Sequence, residues 1–408
     1  MFIVILGGSR PQFSAVEACH ELGYDFIVFD GNKDCFATKY VTKEQFKQIN
    51  IMDKEQVLNA INHLPFRIDA CVSTQTDVAI EAQAYVNKAL KLTGINPNQV
   101  SIVLDKYEMS LACKKAKVTH PKTIIFESID QILREFKNMK IVIKPTDSSG
   151  SKGVYILDLA INKFQEKLAQ FIKDSVSFSP SKQIIIQEFI DGVEVGAQYF
   201  HLNNEESLFI MHDDQLGGPY KNIPIGHSMP CNLDDIYIQD CKSSIENFIF
   251  TNALPEGPYN VDFIVKDNKI YLIEIGARVG ATCLQELTYE YLGFNLIKEQ
   301  IKLITGFQVS RNFKKKRLPV VSRMIFSEKK GIFKSISIPD LEKIEKEMHV
   351  SFREFKIDTK IGENLNGFNS GRDRLGYMVV SSESIKNASN AINKAYYGCL
   401  LYTSDAAD

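Results

Sequence analysis

Apolar and polar positions in the first hundred residues follow two alternating periods, one typical of strands and one typical of helices. The predicted order is strand 2–6, helix 13–22, strand 26–29, a helix around 57–61, strand 68–73 and helix 78–90. Gly23 ends the first helix, Asp53 could cap the second, and Thr76 or Asp77 could cap the third. Strands and helices that alternate at this spacing indicate a parallel, doubly wound α/β sheet.

The rest of the chain contains a larger share of predicted strands. Strands predominate between residues 183 and 215 and return at 259–265 and 270–275, and helices are predicted at 234–250, 284–291 and 296–304. Residues 217–230 are predicted to form a long irregular loop. The basic run 311–317 is predicted to be a solvated linker, with a nucleic-acid patch as the less favoured alternative. A mixed α+β tail follows, and its last residues, 403–408, are expected to be frayed.

Composition narrows the class of protein. The 408 residues carry a formal net charge of −2, with 44% hydrophobic and 24% charged residues, which is typical of a globular protein with two or three domains. This charge gives no overall attraction to nucleic acid or to acidic membranes. The eight cysteines are scattered without metal-type spacing, and the pattern predicts neither a membrane span nor a signal peptide. A cytoplasmic protein is therefore expected.

The segment around Lys144 predicts a phosphate site. An apolar strand, residues 141–143, delivers this lysine to a loop of small residues. The loop residues singled out are Ser148, Ser149, Gly150 and Gly153. An ammonium group at a strand end, beside free backbone N–H groups and hydroxyls, suits the phosphates of a nucleotide. Because the lysine precedes the loop, the spacing matches neither a P-loop nor a dinucleotide fingerprint.

A second candidate nucleotide-binding element lies at residues 187–194. Gln187 and Glu188 end a predicted strand, an apolar pair that includes Ile190 follows, and Glu194 lies after a turn. Apolar walls with a polar acceptor and a backbone pair suit an adenine ring, and Glu194 could hold the ribose hydroxyls. A β-hairpin with an incidental glutamate would show the same pattern, so both interpretations stay open.

Two acidic residues are predicted to face each other on a β-hairpin. A three-residue loop at 267–269 places Asp262 directly opposite Glu274. The same register pairs Val261 with Ile275, Phe263 with Ile273 and Val265 with Tyr271 on the apolar side. Opposed carboxylates destabilise a sheet unless a cation neutralises them, and an oxygen-coordinated magnesium ion would do so. Arg278 continues on the acidic face, and a surface pair between Arg278 and either acid is the alternative.

Taken in chain order, these elements resemble those of the ATP-grasp superfamily. The matching order is Lys106 on a predicted helix, Lys144 before its loop, the hinge 187–190, Glu194, and the hairpin with Asp262, Glu274 and Arg278. The resemblance covers about residues 1–310, and the stretch 276–282 is most similar to the L-amino-acid-ligase branch. It implies a Rossmann-like domain at 1–104, an ATP-grasp domain at 105–310 with a lid at about 118–190, and a small α+β domain at 318–400.

The resemblance also implies a role for each site residue. The implied nucleotide-binding residues are Lys106, Lys144, Ser148, Ser149, Gly150, Gly153, Gln187, Glu188, Ile190 and Glu194. The two lysines would hold the α- and β-phosphates of ATP under a mobile lid loop, and the last four residues would contact adenine and ribose. Asp262 and Glu274 would bind Mg²⁺, with Mn²⁺ as an alternative. Arg278 and Lys144 would act in catalysis, with Arg278 gripping an acyl phosphate.

The chain departs from the family pattern at two positions. Gly276 stands where the family usually has Asn, which removes one metal contact and leaves the number of metal ions open. Gln187 stands where Glu is common, and its amide oxygen can still pair with the adenine amino group.

The implied reaction joins a carboxylate to an amine through an acyl phosphate, with release of ADP and phosphate. A bicarbonate-dependent carboxylase, a catalytically weakened ATP-binding module and an NAD-dependent oxidoreductase stay open as alternatives. Small carboxylate and amine substrates, including amino acids, are the expected partners, without nucleic acid or membrane, and a homodimer is left open. His212, Asp213 and His227 are candidates for substrate contact.

Overall fold

The computed structural model describes residues 1–148, 150, 152–161, 163–217, 223–314 and 316–404. Its helices are α1 (Phe13–Leu22), α2 (Lys54–Asn62), α3 (Ile80–Leu90), α4 (Pro97–Leu104), α5 (Lys106–Ala116), α6 (Ile129–Glu135), α7 (Phe164–Phe178), α8 (Asp235–Thr251), α9 (Leu284–Leu292), α10 (Leu296–Ile304), α11 (Leu341–Met348) and α12 (Ile385–Gly398). None of the helices in these ranges is long and apolar enough to cross a membrane.

The strands follow in the same numbering. They are β1 (Phe2–Leu6), β2 (Asp25–Asp30), β3 (Phe46–Gln48), β4 (Ala70–Val72), β5 (Thr123–Ile125), β6 (Lys140–Pro145), β7 (Tyr155–Asp158), β8 (Ile184–Glu188), β9 (Val193–His201), β10 (Leu208–Gly217), β11 (Ile223–Met229), β12 (Gly257–Lys266), β13 (Lys269–Gly276), β14 (Val320–Phe326), β15 (Lys330–Ser337), β16 (Val350–Ile357), β17 (Asn364–Asn366), β18 (Arg374–Ser382) and β19 (Leu400–Ser404).

The chain divides into two compact units, each built from separate stretches of sequence. The first contains Met1–Phe209, Leu233–Val279 and Ile297–Val309. The second contains the described residues of Ile210–Asn232, Gly280–Leu296 and Ser310–Asp408. The division into three domains that the sequence predicts stays a prediction.

The first unit opens with a parallel sheet in the order β3-β2-β1-β4. Val4, Phe29 and Cys71 lie in its core with Val57 of α2 and Val86 of α3. This arrangement confirms the parallel α/β pattern predicted for the start of the chain, because the strands pair in parallel and the apolar sides of α2 and α3 cover the sheet.

The helix caps of this region follow the prediction at one helix and not at the other. The Asp53 side chain accepts hydrogen bonds from the N–H groups of Glu55 and Gln56 and so caps α2, as predicted. The predicted cap of α3 is wrong, because α3 begins after Ala79 without a side-chain cap. The side chain of Asp77 is directed to another partner, described below.

Two antiparallel sheets complete the first unit. One has the order β5-β8-β6-β7 and buries an apolar face against α6 and α7. The other contains β13, β12 and β9, and its strands β12 and β13 form the predicted hairpin. Lys144, the lysine that is predicted to bind phosphate, lies on β6, and Asp262 and Glu274 lie on β12 and β13.

The second unit contains an antiparallel sheet in the order β10-β11-β14-β18-β16. The prediction of a long irregular loop over residues 217–230 is wrong, since Ile223–Met229 forms β11 between β10 and β14. Glycine and proline in this stretch suggest a loop locally, but pairing on both sides supplies the hydrogen bonds of a strand. Residues 218–222 lie outside the described residues.

The end of the chain also differs from expectation. Thr403 and Ser404, expected to be frayed, belong to β19 and pair with Phe333 and Ile332 of β15. Pairing with β15, the central strand of the sheet β17-β15-β19, explains the order, because it satisfies backbone groups that the local sequence leaves open. Residues 405–408 lie outside the described residues.

Candidate active site

Lys144 occupies the position on β6 that the sequence predicts for a phosphate-binding lysine. The side chain is buried, with 6% of the residue exposed. The pKa of Lys144 is lowered to about 8, chiefly by burial and then by the nearby Lys106 ammonium, while the carboxylates of Glu274 and Asp262 act in the opposite direction. The two lysines and the two acids therefore lie within electrostatic range of one another.

Lys106 connects the small-residue loop with the acidic pair. It is the first residue of α5, which Asp105 caps through the N–H groups of Tyr107 and Glu108. Lys106 Nζ donates to the Ser148 carbonyl oxygen at 2.8 Å and lies 3.4 Å from Glu274 Oε1. The structure thus brings together residues far apart in sequence that the resemblance assigned to phosphate binding, Lys106 and Ser148, and to metal binding, Glu274.

Asp262 and Glu274 are direct cross-strand partners, as predicted, although the register beyond them differs from the prediction. The turn contains two residues and not three, because Lys266 pairs with Lys269, and both Asp267 and Asn268 have positive φ. Positive φ at both central residues is typical of the tight turns that match strand twist.

A β-bulge compensates for the shorter turn. The register shifts between Asp262 and Phe263, so Phe263 pairs with Leu272. Val265 pairs with Ile270. The predicted pairs of Phe263 with Ile273 and of Val265 with Tyr271 are therefore wrong, and the extra residue of the bulge restores the pairing of the two acids.

Arg278 is held by a carboxylate that the sequence does not identify as its partner. Its Nε and Nη2 donate to the two carboxylate oxygens of Asp77 at 2.9 and 3.2 Å. Burial opposes the charge on both groups. The pair outweighs burial, so the pKa of Asp77 lies below its ordinary value and that of Arg278 above its own, with Asp262 and Glu274 also favouring the charged guanidinium.

Gly276, which has no side chain, lies beside the ion pair of Asp77 and Arg278. A Cβ atom built there would lie 3.4 Å from Asp77 Oδ1 and 3.7 Å from Arg278 Cζ, so the Asp77–Arg278 pair borders this space. Asn260 lies directly across the strands from Gly276, and its Nδ2 donates to Asp262 Oδ1 at 3.3 Å.

Sequence reasoning missed Asn260 as a site residue, and it did not predict that Asp77 pairs with Arg278. Asn260 lies two residues before Asp262 on the same strand face, a period-two signal that the sequence does carry. Asp77 lies beyond the carboxyl end of β4, the edge where parallel sheets place ligand-binding groups.

The loop after β6 is anchored at its start. The Asp147 carboxylate accepts hydrogen bonds from the Ser179 hydroxyl at 2.7 Å and from the Ser181 N–H at 2.8 Å. Gly150 and Gly153 both have positive φ, which favours glycine at each position. The predicted phosphate ligand Ser149 lies outside the described residues.

The proposed adenine residues divide between the two faces of the β5-β8-β6-β7 sheet. Gln187 pairs with Val142 of β6, so its side chain shares a face with Lys144, two residues further on. Its Nε2 donates to Thr123 Oγ1 at 2.8 Å. Glu188 pairs with Ile141 and belongs to the opposite face.

Ile190 and Glu194 lie beyond this sheet. Ile190 is buried after β8, and Glu194 lies on β9 opposite Ile264 of β12. The register therefore favours Gln187 over Glu188 as the side chain near the phosphate lysine, and the nucleotide roles of all these residues stay predictions.

The histidines considered for substrate contact lie in strands of the second unit and not in a loop. His212 on β10 and His227 on β11 are both buried. Asp213 Oδ1 accepts hydrogen bonds from the Asn232 N–H at 3.1 Å and from Cys231 Sγ at 3.0 Å. Their contact with a substrate stays a prediction.

Comparison with known proteins gives one family match. A family model described as an ATP-grasp domain matches residues 103–282. This range contains every site residue discussed for the first unit except Asp77.

Solved structures share the fold of almost the whole chain. The L-amino acid ligase from Bacillus licheniformis is similar with a TM-score of 0.80 and 16% identity, over 99% of this chain and 99% of that one. Phosphoribosylglycinamide synthetase from Anaerococcus prevotii is similar with a TM-score of 0.79 and 23% identity, again over 99% of both chains. Likeness at these identities establishes the fold.

The curated relatives are much longer than this chain. The carbamoyl phosphate synthase large chain of Pseudothermotoga lettingae is 24% identical over 305 residues, which cover 73% of this chain. The matched stretch spans 26% of that relative's length.

Proposed function

We propose that this protein is an ATP-dependent carboxylate–amine ligase, because a family model described as an ATP-grasp domain matches residues 103–282. It would form an amide or peptide bond through an acyl phosphate and release ADP and phosphate. The observation that carries the proposal is the convergence of Lys106 and Lys144 on the opposed carboxylates of Asp262 and Glu274.

The two lysines bind phosphates in this proposal. Lys144 is buried, so an anionic ligand offsets the desolvation of its ammonium group. Lys106 holds the Ser148 carbonyl at the start of the small-residue loop. A phosphate that competes for Lys106 therefore also acts on this loop, which supports its assignment as a lid. Gln187, the Ile190 backbone and Glu194 are proposed to hold adenine and ribose.

Asp262 and Glu274 would hold Mg²⁺, or Mn²⁺ in its place. The donors fit such an ion, because both are carboxylates, and the Asn260 amide group donates a hydrogen bond to Asp262. When bound, the ion supplies positive charge to the phosphate oxygens. The chain's own cations, Lys106 and Lys144, act beside it.

The reaction has two steps. A substrate carboxylate oxygen bonds to the γ-phosphorus as the bond from phosphorus to the β,γ-bridging oxygen breaks, which gives an acyl phosphate and ADP. The amine nitrogen then bonds to the acyl carbon, the carbon–oxygen bond to phosphate breaks, and the nitrogen loses a proton. Arg278, oriented by Asp77, offsets the charge on the transferred phosphoryl group.

The substrates are proposed to be small acids and amines such as amino acids. The sequence after Glu274 and the fold likeness to an L-amino acid ligase support this choice. A cytoplasmic location is also proposed, and the eight free cysteines support it. The three-domain division and a homodimer remain part of the proposal.

A phosphate-release screen over pairs of amino acids, with ATP and magnesium, tests this function. We expect ADP and phosphate to form only with the right pair, together with an amide detected by mass spectrometry. Release stimulated by bicarbonate and not by amino acids would identify a carboxylase. ATP binding without phosphate release stimulated by any substrate would identify a catalytically weakened ATP-binding module. Binding of a nicotinamide cofactor without binding of ATP would identify an oxidoreductase.

The variant Glu274→Gln tests the assignment of the acidic pair. We expect turnover to be lost while ATP binding, measured by calorimetry, largely survives, because the lysines remain. Glu44→Gln, at an exposed glutamate of the same unit, is the matched control and should keep full turnover. Full activity of Glu274→Gln would remove this carboxylate from the mechanism.

A further inference from the structure

The second unit contains a cluster of side chains with metal-binding chemistry that the proposed ligase site does not use. His212 and Asp214 lie two residues apart on β10, and His227 lies on β11 directly opposite Asp214. Alternation along β10 places His212 and Asp214 on one face of the sheet, and the register adds His227 to that face. The sequence treats the two histidines as separate, since fourteen positions between them hide this register.

The donor atoms of these three side chains converge. Asp214 Oδ1 lies 2.8 Å from His212 Nδ1 and 2.7 Å from His227 Nδ1. One ligand atom from each residue lies within 4.8 Å of the other two. Metal–ligand bonds of about 2.0–2.1 Å separate neighbouring donor atoms by about 2.9–3.4 Å. Both contacts of Asp214 Oδ1 are therefore close to the separation of neighbouring ligand atoms in such a shell.

The cluster lies in a largely apolar layer. His212 is 1% exposed and His227 is 2% exposed. Their neighbour Met229 packs with Val320 and with Leu287 of α9. Polar groups in such surroundings carry a desolvation cost that a strong ligand offsets.

The charges in this layer are unbalanced. Among the described residues, the ion contacts of Asp214 are with the two histidines, and no lysine or arginine pairs with it. The Nε2 atoms of both histidines are buried and have no hydrogen-bond partner in the part of the chain that the structure describes. A carboxylate held between two imidazoles lacks a fixed cation, which a metal ion would supply.

We propose that His212, Asp214 and His227 bind one divalent transition-metal ion of the Zn²⁺ class through Nδ1, Oδ1 and Nδ1. Two imidazole nitrogens and one carboxylate oxygen favour Zn²⁺ or Co²⁺ over Mg²⁺, so the site is chemically distinct from the all-oxygen site of Asp262 and Glu274. The ion takes the place of the protons shared between the free side chains. It links β10 to β11.

Titration of the full-length, chelator-treated protein with Co²⁺, in excess Mg²⁺ and without nucleotide, tests the proposal. We expect one equivalent of Co²⁺ to bind, with the visible absorption of a nitrogen-ligated site, and Zn²⁺ to displace it. His227→Gln and Asp214→Asn should each weaken Co²⁺ binding at least about tenfold. His120→Gln is the matched control, because its Nε2 is also buried without a partner but His120 is outside the cluster.

A second measurement keeps the proposal testable if a variant fails to fold. Zn²⁺ should raise the midpoint of thermal unfolding of the wild-type protein, because it binds the folded state. If the wild type binds no Co²⁺ at micromolar concentrations, or if both cluster variants bind it unchanged, the proposal is wrong and the three side chains form a hydrogen-bonded unit only. Ligase turnover is not a readout here, so this outcome is independent of the proposed function.

Discussion

Lys144, which is buried, and Arg278, which is partly buried, are stabilised in different ways. Lys144 has no carboxylate within the distance of an ion pair among the described residues, and burial is the largest cause of its lowered pKa. Arg278 has two hydrogen bonds to Asp77, and its pKa is raised. The first group is therefore sensitive to pH and to an anionic ligand, and the second is important for the stability of the fold.

Raising the pH from 7 to 9 should weaken ATP binding about tenfold. The free Lys144 ammonium loses its proton above about pH 8, whereas the ATP-bound lysine keeps it, so affinity falls as pH rises through the pKa of the free chain. Calorimetric titration with a non-hydrolysable ATP analogue at several pH values measures this. The Lys144→Met variant should bind the ATP analogue weakly, and its affinity should not change with pH above about pH 7.5, because the titrating group is absent. If the affinity of this variant still fell steeply with pH, another group would be responsible for the titration.

Arg278→Ala should lower the free energy of unfolding by about 3 kcal/mol, because it leaves the Asp77 carboxylate without its partner. Asp77→Asn in the same chain should restore much of that stability, since a neutral amide needs no cation. Denaturant unfolding measures both. Turnover should stay absent in the double variant, and recovery of turnover along with stability would show that Arg278 has only a structural role.

At the scale of secondary-structure elements, the β12–β13 hairpin positions the acidic pair. Its two-residue turn and its bulge each change the register, and their effects cancel at Asp262 and Glu274. The predicted three-residue loop gives the same pairing without a bulge. The predicted pairing of the two acids is therefore right, although the predicted turn length is wrong. A one-residue slip would move one carboxylate to the apolar face.

Asp267→Val should destabilise this hairpin by about 1–2 kcal/mol, because Asp267 has a φ of 48° and a β-branched residue is strained there. Asp267→Gly is the matched variant and should be close to neutral, since glycine adopts this conformation without a Cβ clash. Thermal unfolding of the two variants compares them. Equal stability would mean that the turn relaxes to another conformation.

At the scale of the whole molecule, residues from distant segments form the proposed ligase site within the first unit. Lys106 begins α5, Lys144 lies on β6, and the acidic pair lies on β12 and β13. The ion pair of Arg278 with Asp77 connects the residues just after β13 to the sheet at the start of the chain. A nucleotide bound there would therefore connect several elements at once.

A non-hydrolysable ATP analogue with magnesium should slow amide hydrogen exchange in the described residues of β6 and of the β12–β13 hairpin. Saturation at a hundredfold excess over the dissociation constant stabilises the folded state by about 2.7 kcal/mol. Exchange in β18, in the second unit, serves as the internal reference for local protection. Protection confined to β18 would place the nucleotide elsewhere.

Much of the fold and of the candidate site could be predicted from the sequence. The parallel α/β start, the lysine before its loop and the opposed acids were all predicted, because alternation, caps and glycine loops are local signals. The strand at Ile223–Met229 could not be, because its partners β10 and β14 decide it. Ser149, also predicted as a ligand, lies outside the described residues.

The sequence by itself predicted the two lysines, the two acids and Arg278 of the candidate site and the order in which they occur, since short-range periodicity indicates strands, turns and the faces of side chains. Only the tertiary structure decided which charged groups meet. Asp77 and Arg278 are 201 residues apart in the chain, and the contact of Asp214 with two histidines depends on strand register. Such contacts arise when distant segments pack and bury their charges together, and no local pattern records them.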